Sequence, residues 1–367
     1  MNLQRIKEKM DHNFLGKAVL FCCSKAYGAA QAVNFWAYRH RWRKTERINT
    51  RVVCVGNITA GGTGKTTAVL LAASVLAQKG LRVAVVSRGY KRKERSKQPI
   101  VLTEDANVTW QEVGDEPFMM SRLLKNYKIP IVISSQRVRA CYKAMARFNS
   151  QVILLDDGLQ HHKLWRNANI ILVDAKNPFG NRHFLPYGIL REPMTALSRA
   201  SLVLLTHCEQ VPAEELKNIS AEIRIYNGRA PILQSVHEPQ YYMDVFTGKQ
   251  VPLADIKGEV SCFSALGHPE TFENTLSGLG LNLKQKWRFA DHHRYTSDNL
   301  RTLQDTRGNL PLITTFKDWV KFPEDWRDIL KKNVYVLAVN MKICGDGAQM
   351  EKFEQVLWPT KKSVQKI

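Results

Sequence analysis

One stretch constrains the fold of this chain more than any other: VGNITAGGTGKTT, residues Val55 to Thr67. It follows a short apolar run, RVVCV, and precedes AVLLAASVLAQKG, which continues with apolar residues at helical spacing. A glycine-rich turn between a buried strand and a helix brings unpaired N–H groups and the positive end of a helix dipole to one point, which suits a phosphate. Gly61, Gly62 and Gly64 let backbone approach such an anion closely. Lys65 is placed to reach β- and γ-phosphates, and the Thr66 hydroxyl to ligate magnesium. The whole candidate loop is Thr59, Ala60, Gly61, Gly62, Thr63, Gly64, Lys65 and Thr66. Thr59 stands where the G-x-x-x-x-G-K-[ST] pattern begins with glycine, and Gly56 lies three residues too early to replace it. A glycine turn with no ligand is the bland alternative; the strand before, the helix after and the intact G-K-T outweigh it.

Beyond the loop the apolar runs LRVAVVS, IPIVIS, QVILLD, NIILVD and SLVLLT are separated by helical or loop segments. Such alternation predicts an α/β fold, a P-loop parallel sheet with helices on both faces. QVILLDDG ends an apolar strand in Asp156 and Asp157, where a carboxylate can hold the water shell of a magnesium ion beside the phosphates. Apolar strands that end in Asp are common, and the pairing with a phosphate loop gives this one its weight. The nucleotide is expected at the carboxyl ends of the strands. ATP is favoured, because no N-K-x-D guanine signature occurs; TFKDWV contains Lys317 and Asp318 without the Asn.

The net charge of +21 favours anionic partners: nucleic acid, an anionic membrane face or phosphorylated substrates. No helicase or base-stacking motif supports nucleic acid. The seven cysteines form no C-x-x-C pair and read as free thiols, mostly small core residues, in a reducing compartment. No apolar stretch is long enough to span a membrane, and the mixed charge of MNLQRIKEKMDH is not that of a signal peptide. Residues 13–38 carry Phe14, Ala18, Phe21, Cys22, Ala32, Phe35 and Trp36 at helical spacings, followed by the basic RHRWRKTER. That combination fits a helix lying in an anionic membrane interface, with a helix packed on the core as the alternative.

Several residues are candidates for the receiving side of a phosphoryl transfer. In EVGDEPFMM, Asp115 and Glu116 precede Pro117 at a helix start, where acids are often only caps. The functional reading makes one of them a base for an attacking hydroxyl, tuned by a histidine. His161 and His162 in DDGLQHHKLW and His292 and His293 in FADHHRY are available, with spacings that fit no zinc site. The loop NPFGNRHFLPYGILREP offers Arg182 and Arg191 as phosphate clamps or as solvated cations.

GNITAGGTGKT, SRGY, VGDEP, DDGLQHH, FGN…LPYGILREP and FADHH occur in this order. Together they resemble the tetraacyldisaccharide 4'-kinases of lipid A biosynthesis, from about Ala26 to about Ala338, and the family pattern includes the altered phosphate loop. The resemblance implies transfer of the γ-phosphate of ATP, with Mg2+, to the 4'-hydroxyl of a tetraacylated glucosamine disaccharide 1-phosphate. It implies a peripheral enzyme at the cytoplasmic face of the bacterial inner membrane, with no obligate protein partner and no nucleic acid. It places the catalytic pair on Asp115 and His292, the phosphate loop on Thr59–Thr66 and the metal on Thr66, Asp156 and Asp157. It places further substrate or phosphate contacts on Glu116, Arg137, His161 and Arg191, and gives His162 and His293 no role.

The expected division is a membrane-associated arm (1–50), a P-loop kinase domain (51–230), a β-hairpin linker (231–256) around the TGK turn, and a smaller α/β domain (257–367). The TKKSVQKI tail is expected to fray. The rival is a membrane- or nucleoid-associated P-loop ATPase switch of the partitioning type; Ala60, where those loops carry an extra lysine, argues against it.

Overall fold

The computed structural model describes residues 13–89, 98–104, 106 and 108–360. Residues 1–12, Tyr90 of SRGY and the tail from Lys361 onward lie outside them. After a long helix, α1 (Phe14–Arg39), strand and helix alternate. The series is β1 (Arg51–Asn57), α2 (Lys65–Gln78), β2 (Val83–Ser87), β3 (Ile100–Leu102), α3 (Asp115–Leu123), β4 (Ile131–Ile133) and α4 (Arg137–Phe148). It continues with β5 (Val152–Asp156), β6 (Ala168–Asp174), β7 (Leu202–Thr206), α5 (Ala213–Tyr226), β8 (Ile232–Asp244) and β9 (Gln250–Val251). The remainder is β10 (Gly258–Ser264), α6 (Pro269–Gly278), β11 (Leu281–Arg288), α7 (Ser297–Arg307), β12 (Leu312–Thr315), β13 (Val334–Ile343) and α8 (Gly347–Leu357).

All strands join one 13-stranded sheet in the order β11-β10-β12-β13-β8-β7-β6-β1-β5-β2-β4-β3, with β9 beside β8. Pairing is parallel except for β3 with β4, β8 with β9 and β8 with β13. β8 makes the sheet continuous: Ile232–Gln234 pair with β7 in parallel, and Ser235–Asp244 pair with β13 in antiparallel register.

The parallel strands read as unbroken apolar runs because helices cover both faces. Successive side chains of β1 point to opposite sides. Val52 and Cys54 pack with Val138 and Cys141 of α4 and Leu216 of α5, while Val53 and Val55 pack with Ala68, Ala72 and Leu76 of α2. Burying one such side chain contributes roughly 1.5–3 kcal/mol. In the second part of the sheet α7 covers one face through Leu300 and Leu303, and α6 covers the other through Phe272 and Leu276. The last helix departs from the expected grouping of 257–367. Phe353 and Leu357 of α8 enter the core of α2, and Arg51 donates to the α8 carbonyls of Leu357 (2.7 Å) and Val356 (2.9 Å).

The cysteines are all unpaired. Cys54, Cys141, Cys208 and Cys262 are buried as small core residues, but Cys22 and Cys23 are exposed on α1. That helix packs most closely through a ridge of Leu20, Ser24 and Gly28, with Tyr27 and Tyr38 half-buried beside it, and leaves Phe14 and Trp36 exposed.

Candidate active site

The phosphate loop forms where β1 meets α2. Gly64 caps α2 at φ +77° and Gly61 sits at φ +115°, a left-handed conformation that costs other residues energy. A side chain at Gly61 or Gly62 would meet only open space, so the loop faces outward free of its own side chains. Thr59 is buried where the pattern has glycine. It bridges to Leu190, while Ala60 N–H donates to the Ile189 carbonyl (2.7 Å). The loop is thereby sewn to the segment that carries Arg191, whose own N–H donates to the Ile58 carbonyl (2.7 Å). Thr63 Oγ1 is buried and has no partner among the described residues.

The strand-end carboxylates diverge. Asp156 accepts from the Ser87 hydroxyl (2.8 Å) at the end of β2. Burial, then the charges of Glu116 and Asp157, push its carboxyl up to about 7, against the Ser87 hydrogen bond and Lys65. Asp157 turns at φ +48° and pairs with Arg191 Nη1 (2.8 Å). Burial opposes its ionisation, but Lys65 and Arg191 outweigh burial and hold it below the usual carboxylate value. Arg137, at the start of α4, is buried, donates to the Ser134 carbonyl (2.9 Å), and has no partner for Nε among the described residues.

Across the cleft, Asp115 opens α3 and is 5% exposed. Its Oδ2 lies 2.6 Å from Nδ1 of His292, which comes from the loop after β11, 177 positions away in the chain. His292 reaches it by adopting φ +62°. Burial raises the Asp115 carboxyl; the His292 hydrogen bond and charge, with Lys317 and Lys321, outweigh it and leave the group below its usual value. Glu116 is half-buried beside it and connects the two clusters through its charge on Asp156.

The two histidine pairs split. His293 donates from Nε2 to Asn299 Oδ1 (2.9 Å) and stacks on Phe289 (4.7 Å), facing inward. His162 is buried against Phe35 and Tyr38 of α1. His161 stays beside Arg137 and Arg166, with Nε2 buried and without a partner among the described residues; burial, then Arg137, push it down to about 4. Arg182 is not brought to the loop: it pairs with Glu222 of α5 (2.9 Å) at the surface.

Three features carry no signal in the sequence. Arg166 fixes the turn after Asp157 by donating to the carbonyls of Gly158, Leu159 and His161. Asp174 and His207, at the ends of β6 and β7, meet at 3.0 Å. His207 stacks on His237 of β8 (4.4 Å, 20°), which reaches the Thr67 hydroxyl of α2 (3.0 Å). These rings line a cavity of about 580 Å³ between α2 and β13, with Phe272, Lys317 and Leu337 on its far wall.

A glycine loop opening a helix, strand-end carboxylates and an acid–histidine pair beyond them define a P-loop protein equipped for phosphoryl transfer. The family model for tetraacyldisaccharide-1-P 4'-kinases matches residues 16–358, and the chain belongs to that family. A tetraacyldisaccharide 4'-kinase of Elusimicrobium minutum is 52% identical over 360 residues, 98% of this chain and 96% of its relative. One of Halothermothrix orenii is 33% identical over 353 residues, 90% of each chain. Among solved structures, LpxK from Aquifex aeolicus in complex with ATP superposes with a TM-score of 0.74 at 28% identity, covering 93% of this chain and 99% of that one.

Proposed function

We propose that this chain transfers the γ-phosphate of ATP to the 4'-hydroxyl of a tetraacylated glucosamine disaccharide 1-phosphate. The observation that carries the reading is the Asp115–His292 hydrogen bond, which joins two separate parts of the sheet beside the strand-end carboxylates. Family membership supplies the substrate.

In this reading the backbone of Thr59–Thr66 and the Lys65 ammonium hold the triphosphate. The cavity that runs from Thr67, His207 and His237 to Lys317 gives the nucleotide and the acceptor room beside the loop. Thr66, Asp156 and Asp157 offer hard oxygen donors of the kind magnesium prefers, and the raised Asp156 carboxyl fits a site awaiting a cation. The ion supplies neutralisation of the phosphate oxygens. Asp115, ionised at neutral pH and oriented by His292, takes the proton of the acceptor hydroxyl. Glu116, Arg137, His161 and Arg191 line the substrate and phosphate side. Two domains, divided near β8 and β9, close to bring Asp115 to His292, which limits hydrolysis of ATP by water.

The outward face of α1 docks on the membrane. Phe14 is 84% exposed, Leu15 71% and Val33 66%, and Trp42 follows at 76% beside Arg39, Arg41, Arg43 and Lys44. Among the described residues no helix is long and apolar enough to cross a membrane, which fits attachment at the cytoplasmic face of the inner membrane. The test is purified protein with ATP, Mg2+ and the disaccharide 1-phosphate in mixed micelles. A bisphosphorylated lipid is expected; ATP turnover with phosphate released only to water would favour an ATPase switch.

A further inference from the structure

The family signature in the sequence leaves TFKDWV without a role, yet the structure carries its lysine into the cleft. β12 ends at Thr315, whose hydroxyl caps a single helical turn by accepting from Asp318 N–H (3.2 Å). Asp318 Oδ2 in turn accepts from the Thr315 hydroxyl (2.7 Å) and from Ala265 N–H (3.1 Å), and Oδ1 pairs with Lys321 (2.9 Å). Both side chains of that ion pair are 0% exposed. A fully buried pair contributes little net stability, but it fixes geometry. Here it fixes the turn from which Lys317 projects the other way, into the wall of the interdomain cavity.

The Lys317 ammonium lies 3.1 Å from Asp291 Oδ1. Asp291 Oδ2 lies 3.7 Å from Nε2 of His292, whose Nδ1 meets Asp115 at 2.6 Å. A line of polar contacts thus runs Lys317, Asp291, His292, Asp115. Burial disfavours the ammonium, but Glu116, Asp291 and Asp115 outweigh it and hold Lys317 above its usual value. Three carboxylates therefore crowd the place where an acceptor hydroxyl and a terminal phosphate must meet. An added phosphoryl group there needs a cation on the acceptor side. On the loop side, Arg191 is held by Asp157 and Arg137 by the Ser134 carbonyl.

We propose that Lys317 is a further catalytic residue, whose ammonium binds the phosphoryl group in flight between ATP and the acceptor hydroxyl. As the acceptor O–P bond forms, the bond between the γ-phosphorus and the β,γ-bridging oxygen breaks. The hydroxyl proton passes to Asp115, and Lys317 keeps its protons while neutralising the equatorial oxygens. With three N–H donors it holds Asp291 and a phosphoryl oxygen together. Because it arrives with His292, the charge needed for transfer is present only when the acid–base pair is assembled. The inference rests on the kinase reading and assigns it one more participant.

The rival role is a mere fastener, in which Lys317 ties the cleft shut through Asp291 and the α3 acids. Full-length K317M and K317R separate the two. The readouts are lipid phosphorylation, binding of Mg·ADP alone, and binding of Mg·ADP with aluminium fluoride and the lipid acceptor as a transition-state mimic. K317M is expected to lose about 10²-fold in kcat and a similar factor in affinity for the mimic, with ADP affinity within about twofold. K317R is expected to recover about tenfold of the kcat loss. A kcat within about threefold of the parent protein, or an equal loss for ADP and the mimic, overturns the inference. Should K317M fail to give a cooperative melt, the same comparison of ADP and mimic in K317R decides it. If the parent protein makes no phosphorylated lipid, the kinase reading falls and this inference with it; an active parent beside an active K317M removes Lys317 alone.

Discussion

At the scale of single residues, neighbours of the same type do different work because backbone geometry separates them. His292 and His293 are adjacent, but the left-handed conformation of His292 swings it outward to Asp115 while His293 turns inward to Asn299. A left-handed residue that is not glycine costs roughly 1 kcal/mol, so the surrounding contacts must hold it. Asp115→Ala is expected to cut kcat by about 10²–10⁴-fold while ATP binding, followed by fluorescence of a nucleotide analogue, stays near the parent value. His292→Asn should fall in the same range, and the double variant should be little worse than either, because the two act as a unit. Fully additive losses would separate them. His293→Ala should leave kcat within a few-fold yet lower the melting temperature, through loss of a hydrogen bond worth about 1 kcal/mol. The sequence made Asp115 and His292 candidates through the order of its motifs. Nothing in it set their distance; TFKDWV is visible in it but gives Lys317 no role, and nothing marked Arg166 or the His207–His237 stack, since those depend on which strand ends lie side by side.

At the scale of elements, α1 shows the limit of periodicity. The aromatic and apolar positions of residues 13–38 predict a helix, and α1 forms there. Periodicity does not say which face packs, and the packed face is the small one. Ser24 donates to the Phe184 carbonyl (2.8 Å), and the Tyr27 hydroxyl to the Arg191 carbonyl (3.3 Å). A Cβ on Gly28 would lie 2.6 Å from the Phe184 ring. Gly28→Val therefore should loosen the seat of α1 and, through the segment carrying Arg191, lower turnover as well as thermal stability. A stability loss without any change in turnover would show the arm to be independent of the site. Replacing Phe14, Val33 and Trp36 by Ser touches only exposed positions. The expected result is weaker sedimentation with anionic vesicles, with the melting temperature within about a degree or two. Parent-like vesicle binding would place the membrane surface elsewhere. The strand–turn–helix geometry of Thr59–Thr66 was legible by contrast, because its requirement is local: a strand, glycines at left-handed positions and a helix start within a dozen residues.

At the scale of the whole molecule, the alternation of strands gave the sheet and its two faces, but the sharing of β8 between both parts was not visible. A strand that pairs parallel on one side and antiparallel on the other depends on residues about a hundred positions away. That continuity ties acid stability to histidines distributed over the molecule. Burial, then Arg199, push His162 down to about 4; burial, then His207, push His237 down to about 3. In both cases the folded value lies below the ordinary 6.5, so between that value and the folded one the unfolded chain binds more protons. Stability from these rings is complete above pH 6.5 and is lost as pH falls toward 4 and 3. Asp115, whose carboxyl is depressed, adds to the loss further down, as pH falls through its folded value. Asp156 acts in the opposite sense: its raised carboxyl makes the free protein less stable as pH rises from 3.8 to about 7. Total stability against pH therefore mixes both signs, and the informative quantity is a difference. His162→Gln removes one titrating ring at the α1 contact. The gap between parent and variant in unfolding free energy, from urea titrations, should narrow by about 1–2 kcal/mol from pH 7 to pH 4.5. A gap that stays constant over that interval would mean that His162 takes up its proton over the same pH range in the fold as in the unfolded chain, and that the seat of α1 does not depend on a neutral imidazole.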